Sequence, residues 1–215
     1  LEFLNSVASS SDKINVEQRE TDGDLRSSIS FFLEVDGNNS GISFSGIPSG
    51  HEFNSLILSI LQSTGTPLKL DQTIQTLIGN LKQPLHFEVF ISLSCHNCPE
   101  VVQGLNQFAL LNDNITAEMI DGGLFQNIIQ ERDIQGVPSV YLNGELFANG
   151  KVDTATLVSK LTELFPDAVN IAPTEAMPLQ DVVVIGGGPA GVSSAIYSAR
   201  KGLNVTIIAD RFGGQ

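Results

Sequence analysis

Two cysteines, Cys95 and Cys98, stand three residues apart in "ISLSCHNCPEVVQGL", and the chain has no others. A C-x-x-C pair can clip a metal, pack as two buried thiols, or work as a dithiol that opens and closes. A structural zinc site needs four ligands, usually supplied as two close pairs. Only His51, His86 and His96 could complete it; His96 lies inside the C-x-x-C loop and the other two are isolated in sequence. Two buried thiols meeting by accident would seldom fall at a strand-to-helix junction. The redox reading explains that junction. The N-terminus of a helix presents unpaired N–H groups and the positive end of the dipole, and both favour a thiolate. Cys95 is placed where the helix starts and Cys98 one turn in, on the same side. Cys95 is therefore the expected attacking thiol, with a pKa that such a site can lower from about 8.5 into the range of roughly 3.5–7.5.

The elements around the pair follow from periodicity. "LHFEVFISL" reads as a strand entering the site, and Val101, Val102, Leu105, Phe108 and Ala109 make a helical stripe leaving it. "NITAEMID" reads as a strand and "LFQNIIQERD" as a short helix. "GVPSVYLNGELFANG" reads as two strands about an Asn143-Gly144 turn, with Val137-Pro138 at the start of the first. "DTATLVSKLTELF" closes as a helix. Upstream, apolar residues at 1, 4, 7 and 8 suggest the end of a helix, and "KINVEQRE", "SISFFLEV" and "GISFSGI" read as strands, the last two joined by "DGNNSG". In "GHEFNSLILSILQS", Phe53, Leu56, Ile57, Ile60 and Leu61 form one apolar helix face. "DQTIQTLIGNL" is a short connecting helix. The hairpin–glycine–helix order ending the first half recurs at the end of the second, so we read an internal duplication. The first copy lacks cysteine, and its opening strand is not recognisable.

A third region begins at Asp181. "DVVVIGGGPAG" is an apolar strand followed by Gly186-x-Gly188-x-x-Gly191 and an apolar helix. "LNVTIIAD" is a second strand ending in Asp210. Strand, glycines, helix, strand and acid in this order are a dinucleotide-binding fingerprint. The glycines allow a tight turn and close approach to a pyrophosphate, and the acid can bind a ribose hydroxyl. The division read along the 215 residues is 1–67, a first α/β unit; 68–165, the unit with the C-x-x-C; 166–180, a proline-containing linker; and 181–215, the start of the nucleotide-binding segment.

Composition narrows the classes. The net charge is −13, and its acids are scattered rather than run together. Nucleic acid and anionic membrane both demand clustered Lys and Arg, so neither is an expected partner. No apolar run approaches the roughly 18 residues that a membrane helix needs. No secretory signal is visible, although the opening Leu1-Glu2-Phe3 has no initiator methionine and carries little weight here.

These stretches carry a resemblance. "CHNC", "GVPSV" and "NGELFANG" fall in the order of the thioredoxin/glutaredoxin fold. With "FSGIPSGHEFNSLILSIL" and "VVVIGGGPAGVSSAIYSARKGLN…RFGGQ", nearly the whole chain resembles the flavoprotein (F) subunits of alkyl hydroperoxide reductases. The resemblance implies an α/β architecture of two tandem thioredoxin-like folds, followed by an incomplete FAD-binding βαβ segment. It implies that Pro138 is the fold's cis-proline, and that Gly186, Gly188, Gly191 and Asp210 serve FAD. It implies electrons passing from NADH through FAD to Cys95/Cys98 and on to a peroxiredoxin disulfide. The longer protein would be a cytoplasmic homodimer, and neither cofactor would be stably bound by this chain. A stand-alone glutaredoxin-like disulfide oxidoreductase is the alternative. The resemblance also makes Glu52 an acid facing the dithiol, whereas Ser49-x-x-Glu52 fits a capping box. Both readings of Glu52 stand open at this level.

Overall fold

The structure, a computed structural model, describes residues 1–19, 25–169 and 178–209. The chain divides into two units, Leu1–Asn170 and Ile171–Gln215.

The first unit is built on one six-stranded sheet. Its elements are α1 (Glu2–Ala8), β1 (Ser30–Val35), β2 (Asn38–Ser45), α2 (Phe53–Ser63), α3 (Gln72–Asn80), β3 (Leu85–Ile91), α4 (Cys98–Leu111), β4 (Ile115–Asp121), α5 (Gln126–Glu131), β5 (Ser139–Leu142), β6 (Glu145–Asn149) and α6 (Thr154–Leu164). The strand order is β1-β2-β4-β3-β5-β6. The second copy supplies β4-β3-β5-β6, and the hairpin of the first copy extends the sheet through β2, which runs parallel to β4 from Ile42↔Ala117 to Ser45↔Ile120. One sheet thus crosses the division read at 67/68. Both hairpins turn on residues with positive φ, Asp36-Gly37 in the first and Asn143-Gly144 in the second.

Alternation along β3 sets two cores. Leu85, Phe87, Val89 and Ile91 join α2, α3, α4 and α6 through Leu56, Leu77, Ile78, Leu105, Phe108, Leu157 and Leu161. Phe90 points to the other face, where Ile120 and Tyr141 pack with Phe125, Ile128 and Ile129 of the α5 region. At the centre of the larger core, Phe44, Phe87, Leu105 and Phe108 are completely buried. At about 1.5–3 kcal/mol per fully buried side chain, this core is the main source of stability.

Three expectations change. "KINVEQRE" forms no strand over its described residues 13–19: its alternation is not matched by a neighbour whose backbone could complete a ladder. The buried face of α2 is not the apolar stripe. Ser55, Leu56, Ser59 and Gln62 are buried, while Phe53 and Leu61 are 41% and 45% exposed. The reason is the partner: α2 packs on α4 through side-chain hydrogen bonds, Asn106 Nδ2 donating to Ser59 Oγ at 2.9 Å and Gln103 Nε2 to Ser55 Oγ at 3.3 Å. Finally, Pro166–Val169 make a short 3-10 turn with Ala168 in the large core. The first residues assigned to the linker are therefore packed; residues 170–177 lie outside the described residues.

The second unit is a parallel pair, β7 (Val182–Ile185) and β8 (Val205–Ile208), joined by α7 (Pro189–Arg200).

Candidate functional site

Parallel pairing decides where the chemistry collects. The strands β2, β3 and β4 run parallel, so their carboxyl ends lie along one rim. Loops 46–52, 92–97 and 122–125 all leave from it, and antiparallel β5 starts there. The loops are fastened together by backbone: Gly122 N–H donates to the Ile91 carbonyl at 2.9 Å and His51 N–H to the Leu93 carbonyl at 3.4 Å. Gly50 sits at φ +57°, and a Cβ there would stand 2.9 Å from the Leu93 carbonyl oxygen. The first copy, which has no cysteine, is thereby held against the loop that has both.

Cys95 and Cys98 form a disulfide with Cα atoms 5.5 Å apart, within the span such a bond requires. The helix starts later than expected. Asn97 is the N-cap and Cys98 the first residue of α4, with Pro99 behind it in the first turn. Cys98 is thus not one turn into the helix, and Cys95 lies in the turn ahead of it. The difference arises because Pro99 fits the first turn, where its missing N–H has no helical partner. The expected contrast in access holds: Cys98 is fully buried and Cys95 half-buried. The Val137-Pro138 peptide is cis, and the Val137 carbonyl oxygen is 3.9 Å from Cys95 Sγ.

Glu52 is fully buried. No side chain caps this helix start: Ser49 makes no cap bond, and the Glu52 carboxyl does not return to the Ser49 backbone. The carboxyl instead accepts a hydrogen bond from Ser55 Oγ at 2.6 Å through Oε2. Its Oε1 has no hydrogen-bond partner among the described residues. Burial pushes its pKa up to about 7, opposed by the Ser55 hydroxyl. Because Gln103 of α4 donates to that same hydroxyl, the relay Glu52–Ser55–Gln103 ends on the helix that Cys98 opens. The capping box does not form, since a buried carboxyl cannot also serve the exposed first turn.

Sequence reasoning missed the place of His51. Its ring lies 4.2 Å, centroid to centroid, from that of His96 in the C-x-x-C loop, so the two histidines are neighbours although 45 residues apart in numbering. No local pattern signals such a pair. Ser55 and Gln103 were legible in principle: 52, 55, 59 and 62 repeat at helical spacing as a polar stripe, and 103 and 106 repeat likewise.

In the second unit, Gly188 is the N-cap of α7 and no side chain occupies the cap. Gly186 has φ +111°, and a Cβ on Gly191 would collide with the Gly186 carbonyl oxygen. The glycines therefore do what a dinucleotide turn asks: the backbone bends, the helix packs closely, and its first N–H groups stay open to a pyrophosphate. These residues fit FAD. Asp210 lies outside the described residues.

A disulfide held across a C-x-x-C turn at the carboxyl rim of this sheet, with a cis-proline beside it, defines a thioredoxin-fold dithiol module. Comparison with known proteins agrees. The family model "Thioredoxin domain" matches residues 85–163, and "FAD dependent oxidoreductase" matches 181–215. The crystal structure of the NTD_N/C domain of alkylhydroperoxide reductase AhpF from Enterococcus faecalis superposes with a TM-score of 0.68 at 35% identity, over 74% of this chain and 81% of that one. In Pseudomonas aeruginosa, the F subunit of alkyl hydroperoxide reductase is 43% identical over 217 residues, covering all of this chain and 40% of its own length. A Bacillus subtilis protein named NADH dehydrogenase is 45% identical over 215 residues, again covering all of this chain and 41% of its own. The chain belongs to the family of alkyl hydroperoxide reductase F subunits. It spans about two fifths of the length of these curated relatives.

Proposed function

We propose that this chain is a dithiol–disulfide reductase module that delivers electrons from a flavin- and NADH-dependent reductase to the disulfide of a peroxiredoxin. The observation that carries the reading is the Cys95–Cys98 disulfide, half open to solvent at Cys95 and closed at Cys98.

In the reduced state the Cys95 thiolate attacks one sulfur of the partner's disulfide. A Cys95–partner bond forms, the partner's own S–S bond breaks, and the leaving sulfur departs with the electron pair and takes a proton. Cys98 then loses its proton and attacks Cys95. The internal disulfide returns and the second partner thiol leaves. Two electrons have passed from this dithiol to the partner. The peroxiredoxin, not this chain, reduces the peroxide. Glu52, a buried carboxyl with a raised pKa whose Ser55 partner is bonded to Gln103 on the helix that Cys98 opens, would be the acceptor of the Cys98 proton. Pro138 and the Val137 carbonyl form the wall beside Cys95.

FAD, when bound, would carry electrons between NADH and a dithiol. Gly186, Gly188 and Gly191 would cradle its pyrophosphate and Asp210 its ribose, in a pocket completed by other parts of a longer, homodimeric, cytoplasmic protein. The 215-residue chain by itself should bind flavin weakly, and a purified sample carrying one FAD per chain would count against this. No described helix is long and apolar enough to cross a membrane. A stand-alone disulfide oxidoreductase is the weaker reading, because it leaves the dinucleotide turn without a use.

Cys98→Ser should trap a covalent adduct with the peroxiredoxin, resolved on a non-reducing gel. Cys95→Ser should trap none. Equal trapping by both variants, or first alkylation of Cys98 near neutral pH, would sink the assignment.

A further inference from the structure

We infer that the cysteine-free copy supplies part of a docking platform, anchored by Ile47 and Leu124, which receives an uncharged, aliphatic stretch of the peroxiredoxin surface that presents the disulfide. The inference rests on the dithiol reading above, since the platform has a use only if Cys95 attacks a partner protein.

The platform is a continuous run of contacts along the carboxyl rim. It starts at the Val137 carbonyl oxygen, 3.9 Å from Cys95 Sγ. His96 follows Cys95 in the chain, and its ring lies 4.2 Å from that of His51, centroid to centroid. His51 is four residues from Ile47, in a loop turned on itself by Ser49 N–H donating to the Ile47 carbonyl at 2.8 Å. That loop meets Leu124, because a Cβ on Gly46 would stand 3.3 Å from Leu124 Cδ1. The run thus passes from the wall beside Cys95 to two aliphatic side chains, one from each copy.

Both side chains face solvent: Ile47 is 46% exposed and Leu124 is 53% exposed. Neither sits on a loose tip. A Cβ on Gly46 would also stand 2.9 Å from Asp121 Cβ, so the turn that presents Ile47 is pressed on the end of β4. Pro48, next to Ile47, is buried. Leu124 is tied to the same strand end by its N–H, which donates to the Asp121 carbonyl at 3.0 Å. An anchor already fixed loses little freedom when a partner covers it.

Charge decides the kind of partner. None of residues 46–51, 92–97, 122–130 and 134–138 is Asp, Glu, Lys or Arg, in a chain where these types make up 16%. Two acids that border these stretches, Glu52 and Asp121, are buried, and Asp121 Oδ1 accepts from Gly123 N–H at 2.9 Å. Glu100, Glu131 and Asp133 are exposed at the margins, where a polar rim belongs. Charge depleted at the centre and kept at the rim is the composition of a protein interface, and exposed aliphatic side chains inside it mark where contact is made. A partner that laid Lys or Arg on Ile47 and Leu124 would bury charge without a counter-charge. The fitting surface is therefore aliphatic and uncharged.

The test compares two disulfides. The chain is reduced with a phosphine, the phosphine is removed and the free thiols are counted. Stopped-flow then follows its reaction with an oxidised peroxiredoxin and with dithiodipyridine, which is too small to use the platform. Ile47→Ser/Leu124→Ser should lose at least about tenfold in second-order rate towards the peroxiredoxin and nothing towards dithiodipyridine. The loss should vanish at saturating peroxiredoxin, because only binding has been removed. Its size should hold from low to high salt, because no charge is screened. Ile47→Leu/Leu124→Ile should stay close to the unsubstituted chain. An unchanged peroxiredoxin rate in the serine variant overturns the platform alone. An equal loss towards both disulfides also overturns it, since the lesion then lies in the dithiol, and so does a loss that shrinks with salt, which puts charge at the contact. Sedimentation of the chain as a dimer that the serine variant dissolves would give the patch to a second copy and overturn the inference. An unsubstituted chain that reacts with dithiodipyridine but not with the peroxiredoxin sinks the partner assignment above, and the platform with it.

Discussion

Glu52 brings a carboxyl into a site that offers it one hydroxyl. Burial without a cation favours the neutral acid, and the pKa near 7 places the group between its two forms at the pH where thiols exchange. That is the property wanted of a base for Cys98, which is buried and must be deprotonated before it attacks. Glu52→Gln keeps the shape and the Ser55 contact but cannot take a proton. The rate at which Cys98 resolves a mixed disulfide should fall roughly tenfold to a hundredfold above pH 7, and its pH profile should lose the step near the Glu52 pKa. Stopped-flow release of the partner thiol measures this. A profile of unchanged shape and height would leave Glu52 a packing residue only. The cysteine pair and the glycines stood out because each combines a residue type with a fixed spacing, whereas Pro138 stood out only through the resemblance, since a proline at a strand start is ordinary. The environment of Glu52 was not legible. S-x-x-E has the same letters whether the carboxyl caps a turn or lies buried, and the choice depends on α4, some fifty residues on.

At the scale of elements, the strands and helices of the second copy followed from their periods, because each packs one regular face on an apolar neighbour. Asp71 and Asp153 cap α3 and α6 as their positions ask, accepting from Ile74 N–H at 2.9 Å and Thr156 N–H at 2.8 Å. The α2–α4 contact broke the pattern because its core is polar, and a hydrophobic stripe cannot report a hydrogen-bonded seam. That seam is strict. Asn106 is 2% exposed and Ser59 is 1% exposed, so loss of one partner leaves a buried amide unsatisfied. Ser59→Ala should destabilise the chain by about 1–3 kcal/mol. Asn106→Leu on top of it should recover part of the loss, since the orphaned amide is then gone. Urea denaturation of the two single variants and the double variant gives the coupling. Strict additivity would mean that the seam is not closed as described.

Across the first unit as a whole, two buried acids pull stability in opposite directions with pH. Burial works to raise the Glu88 carboxyl, but Arg132 and then Arg26 outweigh it and hold it below its usual range. A lowered pKa contributes stability above the unfolded value, near 4.5, and the contribution is lost as pH falls through the folded value. Glu52 does the reverse. Its raised pKa contributes stability that is complete below the unfolded value of 4.5 and is lost as pH rises through about 7. The second effect is worth on the order of 3 kcal/mol. General charge acts in the same sense as Glu52: the chain carries −13 at pH 7, and its acidic pI of about 4.4 means that self-repulsion grows as pH rises. One sheet joins strands of both copies, so the unit should unfold as one, and a single transition should report both acids. The oxidised chain should therefore be most stable near about pH 4.5, weakening on either side. Glu52→Gln should flatten the upper limb, and Arg132→Met should weaken the chain most at neutral pH, where Glu88 is ionised. Calorimetry on both sides of that pH decides it. A maximum above pH 7, or an upper limb untouched by Glu52→Gln, would mean that Glu52 is not charged at a cost inside this fold, and its role as the proton acceptor for Cys98 would lose its physical basis.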